Sequence, residues 1–460
     1  MGLVGSRAIL TAPTPNPSPK GEGLNRLFAL FLAGLALTLA TPAHAQLSKA
    51  ETKIVSAVDA EYDRSIALLE RLVNQNSGSL NAAGVEKVGQ MMRAEFEALG
   101  FTVRWVPMDQ VKRGGHIIAT HKGNGRGKRM LLIGHLDTVF EPSSPFQTFT
   151  REGDKAIGPG VNDNKGGMVV MLTALKAMKA AGTLKNADIE VVLTGDEEDP
   201  GDPLEIARAD LIAAGKRADV ALDFEGLVVL DGTDMGSIAR RSAGSWQLTV
   251  KAKGGHSSGI FSQAAGDGAI YPLAKIIAAF RAELPEPNLT FNVGLITGGV
   301  EAKLGEGGVS ATASGKTNII PEIAIARGDI RSLSPEQDAR VRTKMQEIVA
   351  RLGGGATAEI SFGNDGYPSM APTEGNKALL AKLNVVNKDL GLPQMPTLDP
   401  IRRGAGDIAF VAADVDGLVG LGSAGQGDHA EGENMDLTSI KRQGKRAAIL
   451  MTRLAQEKAR

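Results

Sequence analysis

A chain of 460 residues that is 42% hydrophobic and 22% charged has ordinary globular composition and room for two or three domains. Its formal net charge is -1, its Lys and Arg are dispersed and aromatics make up 4%, which argues against a nucleic-acid-binding surface. The absence of cysteine excludes thiol catalysis, thiolate zinc sites and disulfides, and suits an oxidising compartment.

The first element is an apolar run, Leu27 to Ala40, preceded by Arg26 and followed by Thr41-Pro42-Ala43-His44-Ala45. The run is short for a membrane span, and the small-x-small ending predicts a signal peptide over residues 1–45, hence a periplasmic or secreted protein. Thr11 to Gly23, rich in Pro and Gly, leaves the true start of translation open.

Helical spacing of Ile54, Val58, Tyr62, Ile66 and Leu69 predicts a helix over 49–74, and a second over 85–99 is closed by Gly100. Strands follow at 101–106 and 117–120, then the run Leu131-Leu132-Ile133. A Gly-rich turn at 158–167 leads into a helix over 168–181. Apolar β runs at 189–193 and 220–222 end in Asp196-Glu197-Glu198 and Asp223-Phe224-Glu225. Strands alternating with helices, with polar residues at strand ends, indicate an α/β mixed sheet with a site along one edge. The pattern changes near Ser237. Strands at 245–253, 289–296, 322–330 and 358–362, with helices at 269–284 and 335–352, give a βαββαβ order, and 309–314 is a further strand. That order predicts an inserted, ferredoxin-like α+β unit. Helices at 375–390 and 439–456 resume the α/β pattern. The expected division is 46–236 with 354–460 as one domain and 237–353 as the insertion.

His135 and Asp137 stand at i and i+2 at the end of the Leu131 strand, so in extended chain they point to one side. One can hold a metal while the other steadies its ring. Alone, the pair reads equally well as a surface His-x-Asp. Asp163, Glu197, Glu198 and Glu225 occupy matching strand-end or turn positions. If these carboxylates converge, their repulsion must be relieved, and bound dications do so. Carboxylate and imidazole ligands suit zinc, with cobalt or manganese as substitutes. Successive side chains diverge, so of Glu197 and Glu198 one can ligate while the other takes a proton from water. Among the histidines, His116 and His121 read as solvated loop residues, His429 as a loop residue with a possible ligand role, and His256 as too remote to place by spacing.

Six motifs in order resemble those of the M20 metallopeptidases: Gly134-His135-Leu136-Asp137-Thr138, Asp163-Asn164-Lys165-Gly166-Gly167, Asp196-Glu197-Glu198, Gly255-His256-Ser257, Asn318-Ile319-Ile320-Pro321 and the late His429. The resemblance runs from about Glu61 to the C-terminus. It implies two zinc ions about 3.5–4 Å apart, bridged by Asp163. His135 and Glu225 would complete one site, with Asp223 as the alternative to Glu225, and Glu198 and His429 the other. Asp137 would orient His135, and Glu197 would be the general base. His256 would stabilise the oxyanion from the inserted domain, which the family uses as a lid and dimerisation unit. Asn318, Arg331, Gly404 and Gly406 match substrate contacts, and a cis peptide is implied at Asp163–Asn164. Phe362 to Pro368 lacks the arginine of glutamate-releasing members, so Arg402 or Arg403 is the candidate carboxylate clamp. The implied protein is a homodimeric hydrolase of a peptide or N-acyl amino acid, most like a glutamate carboxypeptidase. An aminoacylase or dipeptidase would use the same residues. A binding protein on a dead peptidase scaffold would lack ligands or base, and none is missing.

Overall fold

Two helices lead the chain into its first sheet. In α1 (Lys49–Val73), Ser48 and Glu51 form a reciprocal capping box, and the buried stripe includes Ile54, Val58, Ile66, Leu69 and Leu72. Helix α2 (Ala82–Leu99) ends at Gly100, whose φ of 97° is the left-handed cap that glycine adopts without strain. The computed structural model describes residues 47–351, 355–363 and 366–459, so the expected leader and its cleavage site lie outside the described residues. Among the described residues no helix is long and apolar enough to cross a membrane.

The first sheet has six strands. β1 (Thr102–Met108) pairs antiparallel with β2 (Arg113–His121), which pairs antiparallel with Asp188–Thr194. From there the sheet is parallel: Asp188–Thr194, then β3 (Arg129–His135), then Val220–Asp223, then Gly417–Leu418. The central strands are buried on both faces, which explains their unbroken apolar runs. Helix α3 (Lys165–Ala181) is buried continuously from Lys165 to Leu175. Its Gly-Gly start has a packing cause, since a Cβ on Gly167 would lie 1.9 Å from the Phe224 carbonyl oxygen. The helix thus enters directly beneath the strand end that carries Glu225.

The second sheet has its own core of Trp246, Leu248, Val250, Leu273, Ile276, Phe280, Val341 and Met345. Gly244–Lys251 lies between Ile323–Arg331 and Thr357–Phe362, and Leu295–Gly299 pairs on the far side of Ile323–Arg331, all antiparallel. Helices Ile270–Glu283 and Pro335–Ala350 complete the βαββαβ order. Three details differ from the sequence reading. The strand expected over 309–314 is Ala311–Ser314, which pairs with Glu301–Leu304 in a separate two-stranded sheet. The strand expected over 289–296 is broken into Thr290–Phe291 and Leu295–Gly299, with Gly294 between them. Because Thr357–Phe362 pairs with Gly244–Lys251, this sheet runs past residue 353, where the boundary was expected. The chain passes between the sheets on two extended segments that pair antiparallel at Arg240 with Met370 and at Ala243 with Tyr367.

A candidate dinuclear metal centre at the strand ends

Three parallel strands stop side by side and deliver the acidic residues. β3 ends in His135, Asp188–Thr194 runs into Asp196, Glu197 and Glu198, and Val220–Asp223 runs into Glu225. Asp163 arrives on the turn before α3, and its own peptide bond to Asn164 is cis. His429 arrives from the far end of the chain.

These residues converge. His135 Nε2 lies 3.0 Å from Asp163 Oδ1 and 3.2 Å from Glu225 Oε1. His429 Nε2 lies 3.1 Å from Asp163 Oδ2 and 3.0 Å from Glu198 Oε2. Asp163 therefore offers one oxygen to each of two groups, and in each group the donor atoms lie within 4.8 Å of one another. Asp223 is outside both groups. Its carboxylate accepts the Glu225 backbone N–H at 3.2 Å and faces Arg240 at 3.7 Å, so the strand end presents Glu225 and not Asp223 to His135.

The electrostatics fit cations. Burial pushes the Glu197 carboxyl well above the carboxylate range, with Glu225 and Glu198 adding to the rise against the pull of His135. Burial and then Asp163 push Glu198 up to about 7. On His429, hydrogen bonds to Asp163 and Glu198 raise the imidazole to about 11. Burial opposes a charge on His135, but Asp137, Asp163 and Glu225 outweigh it and raise that ring too. The carboxylates thus draw positive charge onto both imidazoles, a demand that two dications meet with the same nitrogen and oxygen donors.

The supports are as specific as the ligand atoms. Asp137 is fully buried and accepts from the Ser79 hydroxyl at 2.6 Å, the Glu197 N–H at 3.0 Å and the Glu198 N–H at 3.1 Å. Its carboxylate is also 3.3 Å from His135 Nδ1, and its backbone carbonyl is 3.1 Å from the same nitrogen. One residue therefore aims the histidine and the acidic pair together. Glu433 does the same for Asp163. Its carboxylate accepts the backbone N–H groups of Gly160, Asn162 and Asp163 at 2.8–2.9 Å. Burial raises its pKa to about 7 against those three hydrogen bonds. Glu433 was signalled in the sequence only by its place four residues after His429.

Other expected residues stand apart. His256 is exposed, its Nδ1 paired with Ser258, and Asn318 is exposed beside it through a Ser257 N–H to Asn318 carbonyl bond of 2.9 Å. Neither has a contact with the carboxylate cluster among the described residues. Arg331 pairs with Asp329 and lies beside Gly404, where a Cβ would be 3.6 Å from its Nη1. Gly404 and Gly406 accommodate Arg240, which donates to the Gly404 carbonyl at 2.9 Å and would collide with a Cβ on Gly406 at 2.1 Å. Arg240 in turn lies 3.3 Å from Glu225. Of the arginine pair, Arg402 is exposed, whereas Arg403 turns inward and donates to the Gly226 carbonyl at 2.9 Å. The solvated reading of His116 is corrected. It lies on the inner face of β2, 1% exposed, with Nδ1 accepting the Gly195 N–H and Nε2 on the Ala207 carbonyl. His121 is half-buried, with Nδ1 on the Ala187 carbonyl at 2.9 Å.

Comparison with known proteins gives a consistent picture. The model of peptidase family M20/M25/M40 matches residues 131–454. Carboxypeptidase G2 of Pseudomonas sp. (strain RS-16) is 29% identical over 442 residues, covering 94% of this chain and 97% of that one. A solved tripeptidase from Staphylococcus aureus superposes with a TM-score of 0.66 at 18% identity, over 86% of this chain and 99% of its own. A Bacillus subtilis protein described as a dinuclear metal-binding peptidase of the M20 family superposes with a TM-score of 0.60 at 16% identity, over 86% of this chain and 99% of its own.

Proposed function

Because the chain belongs to peptidase family M20/M25/M40 and is an amide-bond hydrolase, we propose that it is a carboxypeptidase using two zinc ions, acting on a peptide or N-acyl amino acid with a free α-carboxylate. The observation that carries the reading is the division of Asp163, whose two oxygens face His135 with Glu225 on one side and His429 with Glu198 on the other. The likeness to carboxypeptidase G2 over nearly the whole of both chains supports the choice of carboxypeptidase.

Zinc ions bound to these ligands supply Lewis acidity at the substrate carbonyl and lower the pKa of the attacking water. Glu197 takes the proton from that water and passes it to the departing amine, a task suited to a buried carboxylate whose proton affinity is raised. Asp137 holds His135 in one orientation, and Glu433 holds the backbone of Asp163. His256 donates to the oxyanion that forms as the carbonyl is attacked, reaching the site from the inserted domain. Arg331, with Arg403 beside the Gly404 loop, anchors the substrate carboxylate.

Two further parts of the reading concern the protein's setting. The apolar leader followed by small residues supports export to the periplasm or beyond. Phe261, Ile270, Tyr271 and Ile296 are exposed on the inserted unit, which supports a homodimer through that unit. The test of the reading is a metal count together with a substrate panel. The expected result is two zinc ions per chain and fastest turnover on peptides with a free C-terminus. Turnover confined to N-acyl amino acids would make it an aminoacylase, and full turnover in metal-free protein would end the mechanism.

A further inference from the structure

Beneath the acidic turn lies a polar network outside both ligand groups. Arg208, between the short helices Leu204–Ala207 and Ala209–Arg217, is fully buried. All five of its N–H donors are used. Nε donates to Asp407 at 2.7 Å, and Nη1 donates to the Asp196 carboxylate at 2.6 Å and to the Ala207 carbonyl at 3.3 Å. Nη2 donates to the Asp196 carbonyl at 2.9 Å and to the Tyr367 hydroxyl at 2.8 Å.

That last contact fixes the direction of the next one. The Tyr367 oxygen accepts from a guanidinium that cannot accept in return, so the hydroxyl hydrogen is left to donate. It donates to the backbone carbonyl of Glu197 at 2.7 Å. Glu197 is therefore held on both sides of its Cα: the N–H by Asp137 at 3.0 Å and the C=O by Tyr367. The first hold comes from the turn after β3. The second comes from a residue on the paired connector to the inserted unit, where the Ala243 N–H donates to the Tyr367 carbonyl at 3.0 Å. The Tyr367 ring is itself seated, edge-on to Phe410 at 4.9 Å and with the Arg208 guanidinium 5.7 Å from its centroid.

We propose that Tyr367 is a positioning residue for the general base, carrying the geometry of the interdomain connector to the Glu197 backbone and so setting the angle at which its carboxylate meets the substrate. The proposal rests on the reading of Glu197 as the base. A rotation of the inserted unit about its connector moves Tyr367 and is felt at Glu197; Arg240 on the same connector reaches Glu225, whereas the Asp163 turn is held separately by Glu433.

Tyr367→Phe removes the hydroxyl and keeps the ring. The expected result on zinc-loaded protein is a kcat lowered about tenfold to a hundredfold, in the range of a misdirected base, with KM changed less than about threefold and the zinc count unchanged. Hydrogen exchange on the metal-free protein gives a second reading that needs no turnover. Amides of residues 195–199 exchange faster in the variant, and those of 160–164 keep the wild-type rate. A merely structural role would lower the melting temperature and loosen both segments together, and that outcome overturns the proposal. So does a kcat within twofold of wild type. Glu197→Gln measured alongside separates the two levels: wild-type turnover there would end the assignment of the base, while the exchange rates would still decide whether Tyr367 holds the turn.

Discussion

Asp137 and His256 are both expected to serve the reaction, yet their surroundings are opposite. Asp137 is fully buried with four polar groups around its carboxylate, from Ser79, Glu197, Glu198 and His135. His256 is exposed, and its ring has only the neighbouring Ser258 as a polar partner among the described residues. The same contrast separates the strand-end cluster from Asn318, exposed in a turn of the inserted unit. Groups that hold charge permanently need supports built into the fold, because an unpaired buried carboxylate is costly. Groups that meet a substrate can wait in water until it arrives.

This contrast orders the expected effects of substitution. Asp163→Ala should be the most damaging, taking one ligand from both groups at once. Bound metal should fall from two ions per chain to fewer than one, and turnover to background. Two ions retained by that variant would break the assignment of Asp163 as a bridge. Glu197→Ala should keep both ions, measured by elemental analysis, and lose turnover by about 10^2–10^4-fold; near wild-type rates would remove Glu197 from its role. On the exposed half, His256→Ala should also keep both ions and lower kcat by about 10^2–10^3-fold, the usual effect of removing one oxyanion donor. A metal count changed by that substitution would mean that the two halves are less separate than their burial implies.

Smaller effects sharpen the comparison. Arg331→Ala should raise KM about tenfold to a hundredfold with kcat little changed, as for a lost charge-assisted hydrogen bond of about 1.5–3 kcal/mol. Saturation kinetics would show it, and an equal fall in kcat would place Arg331 in the chemistry instead. The smallest change should come from Glu51→Gln, remote from the site. Glu51 accepts the Ser48 N–H and the Arg453 guanidinium, both at 2.7 Å, so the variant should lose about 1 kcal/mol of stability. Burial raises the Glu51 pKa, but Arg453 and Ser48 outweigh it and leave the folded value below the unfolded 4.5. A carboxyl lowered in the folded state adds stability above its unfolded pKa. The gap between wild type and variant should therefore be full at neutral pH and should close as pH falls through the folded value. Thermal melts at pH 7 and pH 3 would test this, and a gap that widened in acid would reverse the sign.

Much of the cluster was legible because strand ends are local. His135, Asp163, Glu197, Glu198 and Glu225 each follow an apolar run or a Gly-rich turn, and parallel strands bring such ends together. Between Asp223 and Glu225 the family resemblance favoured Glu225, but spacing alone left both open, since they flank Phe224. What separates them is orientation: Glu225 Oε1 lies 3.2 Å from His135 Nε2, while Asp223 accepts the Glu225 backbone N–H, a geometry that no spacing shows. His116 was misread for the same kind of reason. Its hydrogen bonds go to Gly195 and Ala207, 79 and 91 residues away, so nothing near it in sequence marks it as buried. Tyr367, Arg208 and Asp407 form their network across a fold that already exists, and only coordinates could connect them. The broken strand at 290–299 shows the opposite limit, where a glycine interrupts an alternation that otherwise reads as continuous.

The separation of Asp163 from His429 by 266 residues has a consequence for biosynthesis. On the proposed reading, the second cation site can close only after His429 has been made, and closure of so long a loop carries its own entropic cost. Metal uptake on that reading follows the folding of the whole intervening segment, and a chain stalled before His429 would keep a half-built centre.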